Sequence, residues 1–203
     1  MKDFLKYFWS NLKNVVKDLL GKDKEKRRKQ IPNVLTLIRG ILAPITIIPA
    51  VLIGNIRLAV ILIVIASITD IFDGWYARNR NAQSEFGALL DAICDKIFII
   101  TLVLPVLIKY SINLSGVLIL EIIIAVINSY ANLKGRDAKS SYIGKIKTII
   151  LDFTIALYYF NLIIANKVDI FLSGMVFATN ILQIICVREY YKTYKKSKVE
   201  ESV

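Results

Sequence analysis

The chain has no histidine in 203 residues, only two cysteines, and four prolines. Without histidine the commonest general base is gone, and with it every Ser-His-Asp triad and any phosphodiesterase built on histidine pairs. Cys94 and Cys186 lie far apart in apolar stretches without a C-x-x-C pairing, so neither a disulfide framework nor a zinc site is indicated. Both read as small packing residues. Residues 1–33 are too charged and interrupted for a cleavable secretory signal, and no repeat of solenoid period occurs. Any chemistry must therefore run on carboxylates, amines, hydroxyls or a metal.

Apolar residues are what the chain has in excess. A hydrophobic share of 56% and a mean hydropathy of +0.56 place it among membrane proteins. A bilayer core of about 30 Å takes roughly 20 apolar residues in a helix. Six segments reach that length, at about 34–53, 58–78, 88–108, 112–132, 146–166 and 168–187. With both ends on the cytoplasmic side, all of the 27 Lys and Arg except Arg57, Lys109 and Lys167 fall on that side, as the positive-inside rule requires. The expectation is an all-α integral membrane fold with six transmembrane helices, in the cytoplasmic membrane, with both termini and the site cytoplasmic.

The net charge of +11 sits mostly beside apolar spans and not on a soluble face with stacking aromatics, so anionic membrane lipids, and no nucleic acid, are the expected partners. Residues 1–20 put Phe4, Phe8, Leu12, Val15, Val16 and Leu19 on one helical face and lysines on much of the rest. This reads as an amphipathic helix in the cytoplasmic interface, followed by the run KDKEKRRK; a helix packed on protein shares the same pattern. The organisation expected is a juxtamembrane segment at 1–30, a six-helix domain at 31–188 and a basic cytoplasmic tail at 189–203. Tyr158 and Tyr159 are expected in an interfacial belt.

Against that background, residues 70–96, DIFDGWYARNRNAQSEFGALLDAICDK, place Asp70, Asp73, Asp91 and Asp95 between two apolar runs. In helices Asp70, Asp73 and Ala77 share one face, and Gly87, Asp91 and Asp95 share another. Two antiparallel helices joined by 79–86 would bring the four acids to one depth. Four carboxylates in a low-dielectric setting repel one another, and a divalent cation relieves this. All-oxygen ligands suit Mg²⁺ or Mn²⁺. Gly74, Ala77 and Gly87 remove bulk beside the acids, and Arg78 supplies a fork matched to phosphate. On charge placement alone, a divalent-cation transporter, a proton relay or helix-tying ion pairs would serve as well.

The spacing D-x-x-D-G-x-x-A-R-x(8)-G-x-x-x-D-x-x-x-D over residues 70–95 resembles the signature of the CDP-alcohol phosphatidyltransferase family. The resemblance implies a six-helix membrane enzyme, usually a homodimer, that uses Mg²⁺ or Mn²⁺. Carried onto this chain it implies metal ligation by Asp70, Asp73, Asp91 and Asp95, with Asp95 also as general base. It implies a CDP-lipid pocket shaped by Asp70, Gly74, Ala77, Arg78 and Gly87. The flanks IPNVLTLIR (31–39), FGALLDAICDK (86–96) and IGKIKT (143–148) are similar to the branch that joins CDP-diacylglycerol to glycerol 3-phosphate, a small phosphorylated alcohol. That branch typically has two arginines in its fourth span, where this chain has Leu120 and Asn128. Its acceptor phosphate would then fall to Arg136, Lys139, Lys145 and Lys147, or the acceptor is a different alcohol. Asn33 and Arg39 open the first span, where pocket, helix cap and headgroup are all compatible surroundings.

Overall fold

The computed structural model describes residues 2–80, 82, 84–133, 142–164 and 168–200. All regular structure among them is helical: α1 Lys2–Leu20, α2 Lys24–Ile53, α3 Ile56–Asn79, α4 Glu85–Lys109, a 3-10 turn Ile112–Leu114, α5 Ser115–Leu133, α6 Tyr142–Ile163 and α7 Asp169–Glu200. Three helices among the described residues are long and apolar enough to cross a membrane: Lys24–Ile53, Tyr142–Ile163 and Asp169–Lys192. A shorter apolar helix spans Ile112–Asn128. The chain forms two compact units, residues 1–101 and 102–203.

Helix ends are set by local chemistry. Asp23 caps α2 by accepting from the backbone N–H of Glu25 and Lys26 at 3.0 and 3.3 Å, and Glu25 in the first turn complements the helix dipole. The helix stops at Gly54, whose φ of 91° lies in the left-handed region that glycine adopts without strain. Asn55 then caps α3 through Leu58 N–H. The strong Asp23 cap moves the start of α2 ten residues ahead of the apolar run, so the basic segment is helical and continuous with the first span. The helix also runs unbroken through residue 30, and α7 runs unbroken through residues 188 and 189.

In the first unit the apolar face of α1 is turned inward. Val15 forms a buried cluster with Phe86, Leu90 and Cys94 of α4, and Phe8, Leu12, Leu19, Val34 and Leu37 pack against it. The rings of Phe8 and Phe86 lie 5.6 Å apart in a tilted pair. The face expected to lie on lipid thus covers the starts of α2 and α4, whose own apolar side chains offer a dry partner. Val16 remains exposed, as do Trp9 and Leu20. Phe4 is outside the described side chains.

The second unit buries several polar side chains within an otherwise apolar core. Lys147 on α6 is paired with Glu121 on α5, and both are buried. Gln183 on α7 donates to the same carboxylate at 3.1 Å and to Val117 C=O at 3.1 Å. Thr154 and Thr179 join α6 to α7 at 2.8 Å. Asn161 accepts from Val168 N–H and donates to Asp169, fixing the turn into α7. Tyr158 and Tyr159 are buried, and Tyr159 donates to Leu102 C=O at 2.8 Å, so they form core and not an interfacial belt. A hydroxyl with a carbonyl in reach is better satisfied inside than a headgroup belt would make it. Both cysteines are unpaired and buried.

A buried pair is far costlier to break than to replace whole. Lys147→Met alone should destabilise the second unit by about 3–5 kcal/mol. The double change Glu121→Met with Lys147→Met should recover most of that loss. Thermal unfolding of the purified variants in detergent checks both.

Candidate active site

The site lies within the first unit, where α2, α3 and α4 each contribute a polar face. Asp70 and Asp73 sit near the end of α3, and Asp91 and Asp95 are one turn apart on α4. Carboxylate oxygens of Asp70, Asp91 and Asp95 lie within 4.8 Å of one another, a grouping able to hold a metal ion. Asp73 stands outside this trio. It is buried and accepts a hydrogen bond from Thr36 on α2 at 3.0 Å. The antiparallel helix pair therefore gathers three of the four predicted acids and sends the fourth against α2.

The centre of the trio is met by Arg39. Its guanidinium pairs with Asp70 through Nη1 and, through Nη2, with Asp91 at 3.2 Å and Asp95 at 3.3 Å. The Arg39 side chain is 4% exposed, while those of the acids are 41–53% exposed. The cluster thus has a buried cationic side and an open anionic one. Sequence reasoning left Arg39 among three possible settings, although a signal was there. A lone Arg inside LTLIRGILAP needs anions, and Asp70, Asp91 and Asp95 are placed at comparable depth.

Beside the acids lies a cavity of about 510 Å³, lined by Asp73, Gly74, Ala77 and Arg78 of α3, Asp91 and Gly87 of α4, and Asn33 and Thr36 of α2, among others. Gly74, Ala77, Arg78 and Gly87, predicted to shape a pocket, all belong to its wall; Asp70 and Asp95 belong to the carboxylate cluster. The size suits a ligand of nucleotide dimensions. Asn33 is held in place by donating to Gln30 at 2.8 Å, and Gln30 donates to Asp18 of α1 at 3.0 Å. A relay of side chains thus ties α1 to the cavity wall.

Two glycines permit the close approach. A Cβ at Gly87 would come within 2.6 Å of Asn33 Oδ1 and 3.0 Å of Ser84 Oγ, and one at Gly40 within 2.7 Å of Cys94 Sγ. Gly40 adjoins Arg39, and Cys94 adjoins Asp95, so this contact sets the spacing of α2 and α4 where the ion pairs form. At Gly74, by contrast, a Cβ would make an ordinary 3.6 Å contact with Arg78.

The predicted acceptor-binding cations fare differently. Lys145 is exposed at the start of α6, and Lys147 is buried against Glu121. Arg136 and Lys139 lie outside the described residues.

The donor set meets the chemical requirement for a hard divalent cation: three carboxylates, all oxygen, with an open face for further ligands. Residues 29–187 match the CDP-alcohol phosphatidyltransferase family, and the chain belongs to that family. It is a phosphatidyltransferase enzyme and a membrane protein. It is 30% identical to a CDP-diacylglycerol--glycerol-3-phosphate 3-phosphatidyltransferase of Rickettsia felis over 179 residues, covering 83% of this chain and 97% of the relative. It is 34% identical over 127 residues to the protein of the same name from Salmonella choleraesuis, covering 58% of this chain and 70% of that one. Its fold is similar to that of the phosphatidylinositol phosphate synthase of Mycobacterium tuberculosis in apo form, with a TM-score of 0.61, 19% identity, and coverage of 80% and 87%.

Overpacking the α2–α4 contact should disturb the ion pairs. Gly40→Ala is expected to destabilise the protein by about 1–3 kcal/mol and to lower turnover. Adding Cys94→Ala removes the Sγ that the new methyl meets, and should restore most of both. A double-mutant cycle on melting temperature and activity measures the coupling.

Proposed function

We propose that the chain transfers a phosphatidyl group from CDP-diacylglycerol to glycerol 3-phosphate, giving phosphatidylglycerophosphate and CMP. The observation that carries this reading is the juxtaposition of the three-carboxylate cluster with a cavity walled by Gly74, Ala77, Arg78 and Gly87. The names of the relatives at about 30% identity, which include both substrates, support the choice of donor and acceptor.

The roles follow from the chemistry of each group. Asp70, Asp91 and Asp95 would hold Mg²⁺ or Mn²⁺, with Asp73, bound to Thr36 beside them, as the fourth ligand. When bound, the cation neutralises pyrophosphate charge and makes CMP a better leaving group. Arg78 contributes a second cationic contact to phosphate from the cavity wall. Gly74, Ala77 and Gly87 leave room for the nucleotide. Asp95, half-exposed, takes the proton from the acceptor hydroxyl as that oxygen bonds to the lipid-side phosphorus and the bond to the CMP oxygen breaks. The acceptor's phosphate is assigned by the resemblance to Arg136, Lys139, Lys145 and Lys147; of these Lys145 is exposed and Lys147 would first have to leave Glu121.

The membrane setting is part of the same proposal. Six helices, α2 to α7, span the cytoplasmic membrane with both termini and the site on the cytoplasmic side, and two copies form a homodimer. Support for spans beyond the three long apolar helices comes from the outward side chains. Leu58, Ile61, Ile65, Ile68 and Phe72 form an exposed stripe along α3, and Ile119, Ile122, Ile123 and Val126 do so on α5. Such surfaces match lipid better than water. The division into a juxtamembrane segment at 1–30, a catalytic domain at 31–188 and a basic tail at 189–203 fits the family match at 29–187.

CMP release by the purified protein with CDP-diacylglycerol and Mn²⁺ should depend on glycerol 3-phosphate and stop with chelator. Release with only a different alcohol would replace the named acceptor. Asp73→Ala and Asp95→Asn should each lower turnover by on the order of 10²–10⁴. Full activity in Asp73→Ala would remove that residue from the site.

A further inference from the structure

Arg39 is the feature of the first unit that the reaction as described does not use. Its guanidinium is nearly inaccessible, permanently charged, and shared among three carboxylates drawn from two other helices. One nitrogen, Nη2, serves both Asp91 Oδ1 at 3.2 Å and Asp95 Oδ1 at 3.3 Å. A Mg²⁺ or Mn²⁺ ion takes carboxylate oxygens at about 2.0–2.1 Å. The acid oxygens lie within 4.8 Å of one another, so a dication held by them would draw on the same three carboxylates that Arg39 already engages, and the two positive charges would repel across one small cluster. Each cation therefore weakens the other's hold on those acids.

We propose that Arg39 is a positioning residue that serves the Asp70, Asp91 and Asp95 carboxylates as an internal counter-ion and is exchanged for the divalent cation. Cation binding then competes with the Arg39 ion pairs. The inference rests on the reading that these carboxylates are metal ligands. Its physical basis is that both cations answer the same need. Half-exposed acids converging from α3 and α4 repel one another, and the guanidinium keeps them within bonding range of a common centre. The open face of the cluster lies on the acids' side, so a cation reaches them from outside while the guanidinium withdraws inward. Nε of Arg39 is buried with no hydrogen-bond partner among the described residues, so the side chain is not locked along its whole length. Asp73 beside it, bound to Thr36, is an acid already placed within the same wall.

The test compares full-length wild type, R39Q, R39K and D91N in detergent. Mn²⁺ affinity is read from the electron paramagnetic resonance of the free ion, and thermal unfolding is followed in chelator and in Mn²⁺. Competition predicts that R39Q binds Mn²⁺ at least tenfold more tightly than wild type. It should also unfold at a lower temperature in chelator and gain more from added Mn²⁺. A role that is only structural would weaken binding. Unchanged or weaker Mn²⁺ affinity in R39Q, with binding by wild type that D91N removes, overturns the proposal and leaves the metal site standing. If R39Q does not fold in chelator, R39K carries the test. Its ammonium reaches fewer acids, so it should bind Mn²⁺ several-fold more tightly than wild type, and equal or weaker binding again overturns the proposal. Absence of any D91N-sensitive binding in both wild type and R39Q would overturn the metal reading and this inference with it.

Discussion

Carboxylates gathered at a single depth in an apolar helical protein repel one another, and the arrangement of the first unit answers that repulsion. Arg39 enters from α2 to meet Asp70, Asp91 and Asp95, and Thr36 from the same helix donates to Asp73. One helix thus supplies the counter-charge for two others. This explains why α2 must lie close to α4, with a glycine facing a cysteine, and why the acids can face an open cavity without the helices parting.

The second unit solves a related problem by other means. Lys147 and Glu121 are buried together and matched one to one, with Gln183 as a further donor. Nothing of that pair is left open. The first unit leaves its acids half-exposed and its cation buried, so its charge is available outward; the second keeps its charge closed. The contrast separates a site that can take a ligand from an interior that joins α5, α6 and α7.

Much of this was legible in the sequence where periodicity speaks. The helices of the second and third apolar segments, the convergence of Asp70, Asp91 and Asp95, and the small-residue wall at Gly74, Ala77 and Gly87 follow from helical spacing alone. What could not be read depends on partners distant in the chain. The apolar face of α1 has the same pattern whether it meets lipid or the starts of α2 and α4, and only packing distinguishes them. Lys147 sits in a run of loop-like basic residues, and its pairing with a residue 26 positions earlier leaves no local trace. The setting of Arg39 had a signal of another kind, the improbability of an isolated charge in an apolar helix.

The unbroken course of α2 has a consequence for depth. Lys29 lies in its basic first turns and Arg39 ten residues on, so along the helix axis they are about 15 Å apart. No loop intervenes to absorb a change in that interval. The segment acts as a ruler between the charges flanking the apolar run and the guanidinium at the carboxylates. One residue more or fewer would turn Arg39 by about 100° and shift it by about 1.5 Å, so the register of this stretch, as much as its composition, is under constraint.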